Sequence, residues 1–198
     1  MRVLLIRHAE PDPPSPPQLE DPRLSEAGRA QAACLARAMR ETRLDCVVSS
    51  TMRRAVETAE PLARALDIPL VTEPALVEIA MGDLAAWGPA EQERWSGITA
   101  NWHRGQLEAR CPGGESLSDV TRRVAPVISR LVHAQWDCGF ALLAHAVVNG
   151  VILSMLSPSL RPALGTDLGH RHTGIWELEG SGLEFRVVRR DDTSHLSP

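Results

Sequence analysis

The chain opens on the stretch that decides its fold, Arg2-Val3-Leu4-Leu5-Ile6-Arg7-His8-Ala9-Glu10. A short apolar run of aliphatic and β-branched residues predicts a buried strand. Arg7 and His8 close that run with a cation and an imidazole. In an open α/β sheet, ligands bind beyond the carboxyl ends of the strands, so we expect these two side chains to face a bound group.

A second apolar run, late in the chain, ends in the same way. Phe140-Ala141-Leu142-Leu143-Ala144 is followed directly by His145. If both runs are strands of one sheet, His8 and His145 could meet at the same edge. Each histidine alone could equally be a polar residue that ends a strand, so the functional interpretation depends on the rest of the chain.

Length and composition are those of an ordinary globular protein. The 198 residues suit one domain, predicted at 1–190, with a frayed tail over 191–198. Hydrophobic residues make up 43% and charged residues 23%, and the net charge of -4 gives no general attraction for nucleic acid. We therefore expect no nucleic-acid partner.

The apolar stretches of the chain argue against a membrane. The longest, near Ala146–Leu156, is interrupted by polar residues and is shorter than the roughly 20 residues that a bilayer span needs. No secretory signal is visible at the amino terminus, and the four cysteines form no CxxC pair. These features predict a cytoplasmic protein with reduced thiols, and they leave open whether it forms a homodimer.

Strand-like and helix-like segments alternate along the chain, which predicts an α/β sheet covered by helices on both faces. Ser25 is the expected N-cap of the first helix, and Pro126 is expected to kink a later helix or to end it early. A proline-rich loop over Pro11–Pro17 leaves directly from the strand that ends in His8. The other predicted segments are strands at Leu44–Ser49, Ile68–Val71, Thr173–Leu178 and Leu183–Val188, and helices from about Thr51, over Pro89–His103, after Ser116 and to about Leu156.

The cations and histidines at these strand ends indicate a phosphate site. Arg53 and Arg54 fall in the first turn of a predicted helix, where they oppose the helix dipole, so an anion is expected nearby. Arginine can bind phosphate oxygens in a bidentate manner, and a neutral histidine can attack phosphorus. A carboxylic acid could protonate the leaving oxygen, and spacing alone does not separate Glu78 from Asp83 or Glu10 in that role. The preferred candidates are Arg7, His8, Arg54, Glu78 and His145.

Six motifs, taken in order over about residues 2–178, resemble those of the histidine phosphatase superfamily, the phosphoglycerate mutase-like group. Each motif alone is weak, and their common order makes the resemblance specific. The motifs are Arg7-His8-Ala9-Glu10, Leu24-Ser25-Glu26-Ala27-Gly28-Arg29-Ala30-Gln31-Ala32, Ser49-Ser50-Thr51-Met52-Arg53-Arg54-Ala55-Val56-Glu57-Thr58-Ala59, Leu76-Val77-Glu78-Ile79 with Gly82, Gly113-Gly114-Glu115-Ser116 with Val120 and Arg123-Val124, and Leu142-Leu143-Ala144-His145.

The resemblance implies a three-layer α/β/α sandwich with a mostly parallel central sheet, and it assigns roles to the candidates. His8 would become phosphorylated, while Arg7, Arg54 and His145 would hold the phosphoryl oxygens. Glu78 would donate the proton to the leaving group. The implied activity is that of a phosphomonoesterase acting on a small phosphate ester, with no metal ion and no other cofactor.

Three rival interpretations stay open at this point. One is a phosphoglycerate mutase, a branch that the chain resembles less well. Another is a catalytically weak phospholigand-binding or scaffold protein, suggested by Pro11 and Pro14, which stand where the family commonly has Thr or Ser and Asn. The third is a zinc site built from His145, His170 and His172, for which no acidic or thiol partner has ligand-like spacing.

Overall fold

A six-stranded sheet forms the centre of the protein. The computed structural model describes residues 1–12, 21–84, 88–159 and 170–197. Its strands are β1 (Arg2–Arg7), β2 (Cys46–Ser50), β3 (Leu70–Glu73), β4 (Gly139–Ala144), β5 (Ile175–Ser181) and β6 (Glu184–Asp192). Its helices are α1 (Glu26–Ala38), α2 (Arg53–Leu66), α3 (Pro89–His103), α4 (Leu117–His133) and α5 (Ala146–Leu156).

The order of the strands brings the two histidine-ending runs together. The sheet is ordered β3-β2-β4-β1-β5-β6, with the first four strands parallel and β5 and β6 antiparallel. β1 and β4 are neighbours, and their register pairs Arg7 with Ala144. Since a histidine follows each strand at once, His8 and His145 lie side by side at the carboxyl edge of the sheet.

Helices cover both faces of the sheet because successive side chains of a strand alternate between the faces. In β1, Leu4 and Ile6 pack with α1 and α2, while Val3 and Leu5 pack with α4 and α5 on the opposite face. All four side chains are at most 2% exposed, which explains why the run is continuously apolar. The predicted three-layer α/β/α fold with a mostly parallel sheet is confirmed.

The start of α1 is fastened to the backbone that follows β1. Ser25 is the N-cap, as predicted, and accepts a hydrogen bond from the Gly28 N–H at 2.9 Å. Its hydroxyl donates to the Glu10 carboxylate, and the Glu10 N–H donates to the Gln31 side chain, both at 2.9 Å. Gly28 permits this approach, because a Cβ there would lie 2.0 Å from the Glu10 carbonyl oxygen. The Leu-Ser-x-x-Gly-x-x-Gln pattern therefore anchors the chain just beyond His8.

α4 runs through Pro126 and ends at His133. Of the two predicted effects of this proline, a kink or an early end of the helix, the early end is excluded. A proline ring keeps φ at a helical value and costs one backbone hydrogen bond, here the one to the Arg122 carbonyl. The helix continues because buried side chains on both sides of the proline, Val124 and Val127, pack into the core.

The carboxyl-terminal residues, for which a frayed tail over 191–198 is predicted, include regular structure in the described range. β6 ends at Asp192, and a short 3-10 turn follows at Ser194–Leu196. The Arg171 Nε donates to the Asp191 carboxylate at 3.0 Å, and the His195 ring lies 3.0 Å from the Thr173 hydroxyl. These contacts join the segment to residues just before β5.

Some expectations fall on residues outside the described parts of the chain, namely Pro14, most of the Pro11–Pro17 loop and the segment 160–169. Among the helices that the structure describes, none is long and apolar enough to cross a membrane. The four cysteines are free thiols, and Cys46 and Cys111 are buried.

Candidate active site

His8 is buried, with 4% of its surface exposed, directly after β1. Its Nδ1 lies 2.7 Å from the Ala9 carbonyl oxygen, which can only accept, so Nδ1 carries the hydrogen. The Arg54 Nε, which can only donate, lies 3.2 Å from Nε2 of His8. The two contacts fix one neutral tautomer, in which Nε2 keeps its lone pair on the side of the guanidinium.

The surroundings of His8 also keep the ring neutral. Burial is the main reason that the pKa of His8 lies well below its ordinary value, and nearby His145 and Arg54 lower the pKa further. The ring is therefore unprotonated at neutral pH. A neutral imidazole with an available lone pair is a competent nucleophile.

Arg7 and Arg54 supply positive charge from the end of β1 and the first turn of α2. Burial lowers the pKa of each guanidinium, and the Glu78 carboxylate raises it, so both stay charged. The Arg7 Nη1 donates to the His170 carbonyl oxygen at 2.7 Å, whereas its buried Nε has no partner in the described part of the chain. Arg7 is thus oriented by a backbone carbonyl and retains a donor for an anion.

His145 is fully buried at the N-cap of α5. Its Nε2 lies 2.9 Å from the Ser50 hydroxyl, and its buried Nδ1 has no partner within the described ranges. Burial, followed by Arg54 and Arg7, lowers the pKa of His145 to about 2. The ring centroids of His8 and His145 are 5.1 Å apart, so two neutral imidazoles stand together.

The Glu78 carboxyl group lies beside the start of α5. Its Oε2 accepts from the Val147 N–H at 3.4 Å, and its Oε1 accepts from the Ile79 N–H at 3.0 Å. Burial raises the pKa of Glu78 above its ordinary value, although these two hydrogen bonds and Arg54 act in the opposite direction. A carboxyl group with a raised pKa can keep a proton closer to neutral pH and deliver it to a leaving oxygen.

These groups together form a site suited to a phosphate dianion. Two guanidinium groups lie with two neutral imidazoles at one edge of the sheet, and the N-terminus of α5 adds backbone N–H groups and the positive end of its dipole. Guanidinium groups match phosphate oxygens in both geometry and charge. The arrangement can bind a phosphoryl group, attack it with a nitrogen and protonate the departing oxygen.

The structure brings together the five preferred candidates and places their rivals elsewhere. Arg53 pairs with Glu57 at 2.7 Å, and its side chain is 54% exposed. Glu10 and Asp83 are both exposed, whereas Glu78 contacts the start of α5.

Sequence reasoning missed the residues that orient the two histidines. The Thr58 hydroxyl accepts from the Ala9 N–H at 2.9 Å, so it fixes the residue whose carbonyl binds His8. The Ser50 hydroxyl lies 2.9 Å from Nε2 of His145 and orients that ring directly. Both hydroxyl residues lie in the Ser-Ser-x-x-x-Arg-Ala-x-x-Thr-Ala motif. Their place in this motif was the sequence signal that could have identified them as site residues.

His172 packs edge-on against His8, with ring centroids 5.3 Å apart and planes at 89°. The sequence singled out His172 only in the zinc alternative, together with His145 and His170. Within the described residues, which include all three, no group of three or more His, Cys, Asp or Glu side chains could hold a metal ion. The structure therefore gives the zinc alternative no support.

The fold and the paired histidines at its strand ends define a histidine phosphatase. Residues 3–193 match the family model described as histidine phosphatase superfamily (branch 1), and the chain belongs to that superfamily. The predicted family and enzyme class are thereby confirmed.

Individual relatives align with most of this chain. Phosphoserine phosphatase 1 of Hydrogenobacter thermophilus is 30% identical over 200 residues, covering 99% of this chain and 90% of that protein. A probable phosphoglycerate mutase of Yersinia pestis is 29% identical over 164 residues, covering 79% and 74%. A mycobacterial glucosyl-3-phosphoglycerate phosphatase, solved with inorganic phosphate, has a TM-score of 0.81 and 25% identity over 99% of both chains.

Proposed function

We propose that this protein hydrolyses phosphate monoesters of small metabolites through a phosphohistidine on Nε2 of His8. The observation that carries the proposal is the pair of contacts that fixes the His8 tautomer, with Ala9 at 2.7 Å and Arg54 at 3.2 Å. They leave the lone pair on the nitrogen that faces the positive charge, where a phosphoryl group would bind. No metal ion is required in this scheme, because the arginines supply the charge that a metal would otherwise provide.

In the first step, Nε2 of His8 attacks phosphorus, and the bond between phosphorus and the leaving oxygen breaks. Arg7, Arg54 and His145 bind the three remaining oxygens and stabilise the charge that spreads over them in the transition state. The ring of His8 becomes positive as the nitrogen–phosphorus bond forms. The Ala9 carbonyl stabilises this charge, since it already accepts the hydrogen bond from Nδ1.

Glu78 acts first as an acid and then as a base. Its carboxyl proton passes to the leaving oxygen, so the product departs as an alcohol. In the second step, the carboxylate takes a proton from water as the water oxygen attacks phosphorus. The nitrogen–phosphorus bond breaks, and inorganic phosphate and neutral His8 result. A bound phosphate dianion would raise the pKa of Glu78 further, because like charges disfavour ionisation.

The relatives suggest a substrate class. Phosphoserine and the phosphoglycerates in the names of these relatives are phosphate esters of three-carbon acids. We therefore expect a phosphate ester of a small carboxylic acid. Phosphate release should be measured with phosphoserine, 3-phosphoglycerate and glycerol phosphate, which lacks the carboxylate, each with and without chelator. Preference for glycerol phosphate over both acids would refute the substrate class, and failure to hydrolyse a broad set of monoesters would refute the phosphatase.

Phosphoglycerate mutase activity is the second candidate, and the Yersinia relative favours it. A mutase would return the phosphoryl group from His8 to the hydroxyl of a sugar acid, with the same residues in the same roles. We place hydrolysis first because the phosphatase relatives match 99% of this chain, against 79% for the mutase relative.

We also propose that residues 1–190 form one domain and that the enzyme works in the cytoplasm. The family match over residues 3–193 agrees with one domain, and four free thiols agree with a reducing compartment. Light scattering on the purified protein would establish whether it is a homodimer.

A further inference from the structure

The segment that carries Glu78 has little regular structure of its own. A 3-10 turn ends at Leu76, and residues 78–81 belong to neither a helix nor a strand. Backbone groups in such a segment need partners from elsewhere in the protein, because the unpaired polar groups of a buried chain are costly. The position of the Glu78 carboxyl group therefore depends on what holds residues 75–80.

Arg123, from the second turn of α4, supplies several of these partners. Its Nη1 donates to the Ala75 carbonyl oxygen, and its Nη2 lies 3.4 Å from the Glu78 carbonyl oxygen. The same guanidinium forms a bidentate pair with Glu115, with Nε at 2.8 Å and Nη2 at 3.0 Å from the two carboxylate oxygens. One planar group thus joins two carbonyl groups of the segment, those of Ala75 and Glu78, to the Glu115 carboxylate.

Glu115 holds the same segment at Ala80. Its carboxylate accepts from the Ala80 N–H at 2.9 Å, and its own N–H donates to the Ala80 carbonyl oxygen at 2.8 Å. Burial alone would raise the pKa of Glu115, but the hydrogen bonds from Arg123 and Ala80 lower it below its ordinary value. The carboxylate is therefore charged at neutral pH.

Two glycines allow the turn before α4 to press against this segment. A Cβ at Gly114 would lie 2.7 Å from the Ala80 carbonyl oxygen. Gly82 has a φ of +58°, and a Cβ there would lie 2.2 Å from the Pro112 carbonyl oxygen. The contact between the two stretches is tight, and the pair of Glu115 and Arg123 is 25% and 20% exposed, so bulk water screens it only in part.

From these contacts we infer that the Glu115–Arg123 pair is the positioning element of the proton donor: it fixes the backbone of residues 75–80 so that the Glu78 carboxyl group faces the leaving oxygen. The inference rests on the proposed function, in which Glu78 protonates that oxygen. Neither Glu115 nor Arg123 touches substrate in this scheme. Both act through Glu78, so their loss should impair only the step that needs a proton.

The experiment compares an alkyl phosphate, such as phosphoserine, with nitrophenyl phosphate, whose leaving group departs without a proton. Phosphorylation of His8 is measured in a single turnover. Arg123→Lys keeps the charge but loses the planar fork, and Glu115→Gln keeps the shape but loses the charge. Each should slow phosphorylation by the alkyl ester about tenfold more than phosphorylation by nitrophenyl phosphate, a part of the 10²–10⁴-fold that a general acid typically contributes.

The matched control is Arg122→Lys. Arg122 lies on the same helix and pairs with Asp119 at 2.7 Å, and Asp119 contacts Ser116 and Arg110 rather than residues 75–80. Arg122→Lys should leave the ratio of the two rates unchanged. Arg123→Lys added to Glu78→Gln should also leave the ratio at the value of Glu78→Gln alone, because the acid is already absent.

Two outcomes contradict the inference in distinguishable ways. If Glu78→Gln alters the ratio but Arg123→Lys and Glu115→Gln slow both substrates equally, the pair is merely structural and the proposed function stands. If Glu78→Gln itself slows both substrates equally, the role of Glu78 in the proposed function fails, and the inference fails with it. Thermal unfolding of each variant shows that the rates belong to folded protein, and Glu115→Gln decides the matter if Arg123→Lys does not fold.

Discussion

The Arg54 Nε–H donates to Nε2 of His8 across 3.2 Å, which marks the nitrogen that is proposed to attack phosphorus. The contact joins the end of β1 to the first turn of α2, 46 positions apart in the sequence. It means that the same guanidinium can select the reactive tautomer and bind a phosphoryl oxygen. The consequences of this arrangement can be measured.

His8→Ala should lower turnover by at least about 10³-fold, because no other nucleophile replaces Nε2 of His8 as the acceptor of the phosphoryl group. The fold should persist, since His8 lies beyond the strand and outside the apolar clusters. After rapid quenching with a radiolabelled substrate, the wild type should hold an acid-labile, base-stable phosphate that His8→Ala lacks. His133→Ala is the control, on an exposed site of α4. Hydrolysis by His8→Ala at the wild-type rate would contradict the covalent mechanism.

Activity should survive excess chelator, because Arg7 and Arg54 provide the charge that stabilises the transition state. The measurement is phosphate release before and after dialysis against chelator, with a zinc-dependent phosphatase treated in parallel. Loss of activity that one added divalent ion restores would show that a metal takes part.

Supplied with 3-phosphoglycerate and traces of the bisphosphate, the protein should release phosphate faster than it forms 2-phosphoglycerate. The physical reason is that hydrolysis needs only water at the phosphohistidine, whereas a mutase must retain and reorient the sugar acid. Both products can be followed in one reaction by phosphorus NMR. Efficient isomerisation without phosphate release would make the mutase the correct assignment.

Glu78→Gln should hurt alkyl phosphates much more than nitrophenyl phosphate in the first step, because an alkoxide leaves poorly without a proton. Single-turnover phosphorylation of His8 measures this directly, whereas steady-state rates could hide the difference if water attack becomes slow for both substrates. Asp83→Asn is the control on an exposed carboxylate. Equal slowing of both substrates would show that Glu78 is not the proton donor.

The free energy of unfolding should fall as the pH is lowered from 7 to 5. Burial lowers the pKa of His145 to about 2 and that of His170 to about 4, whereas both would titrate near 6.5 in the unfolded chain. Below about pH 6.5 the unfolded chain binds protons that the folded chain does not, which favours unfolding by at most about 1.4 kcal/mol per pH unit for each histidine. The raised pKa of Glu78 has the opposite effect, since it stabilises the folded chain as the pH falls. This single carboxyl group opposes several histidines whose pKa values are lowered.

Urea unfolding at several pH values tests this dependence. His170→Gln, which removes one of these imidazoles, should show a shallower decline in stability than the wild type. The same slope in both proteins would contradict the assignment of His170 as a half-buried group that stays neutral.

The sequence by itself determined the elements and much of the site. Apolar runs that end in histidine specify β1 and β4, Ser25 specifies the start of α1, and both follow from local patterns of burial and hydrogen bonding. The ordered motifs then indicated the family and the five candidate residues.

Tertiary structure alone decided what depends on partners distant in the chain. The β1–β4 register places His8 beside His145, the donor Arg54 fixes which His8 nitrogen carries the lone pair, and burial at the start of α5 raises the pKa of Glu78. Core packing likewise decided that α4 continues through Pro126. Periodicity along a sequence reports which side chains are buried, but the position of a proton and the strength of a charge depend on groups that only the folded chain brings within a few ångströms.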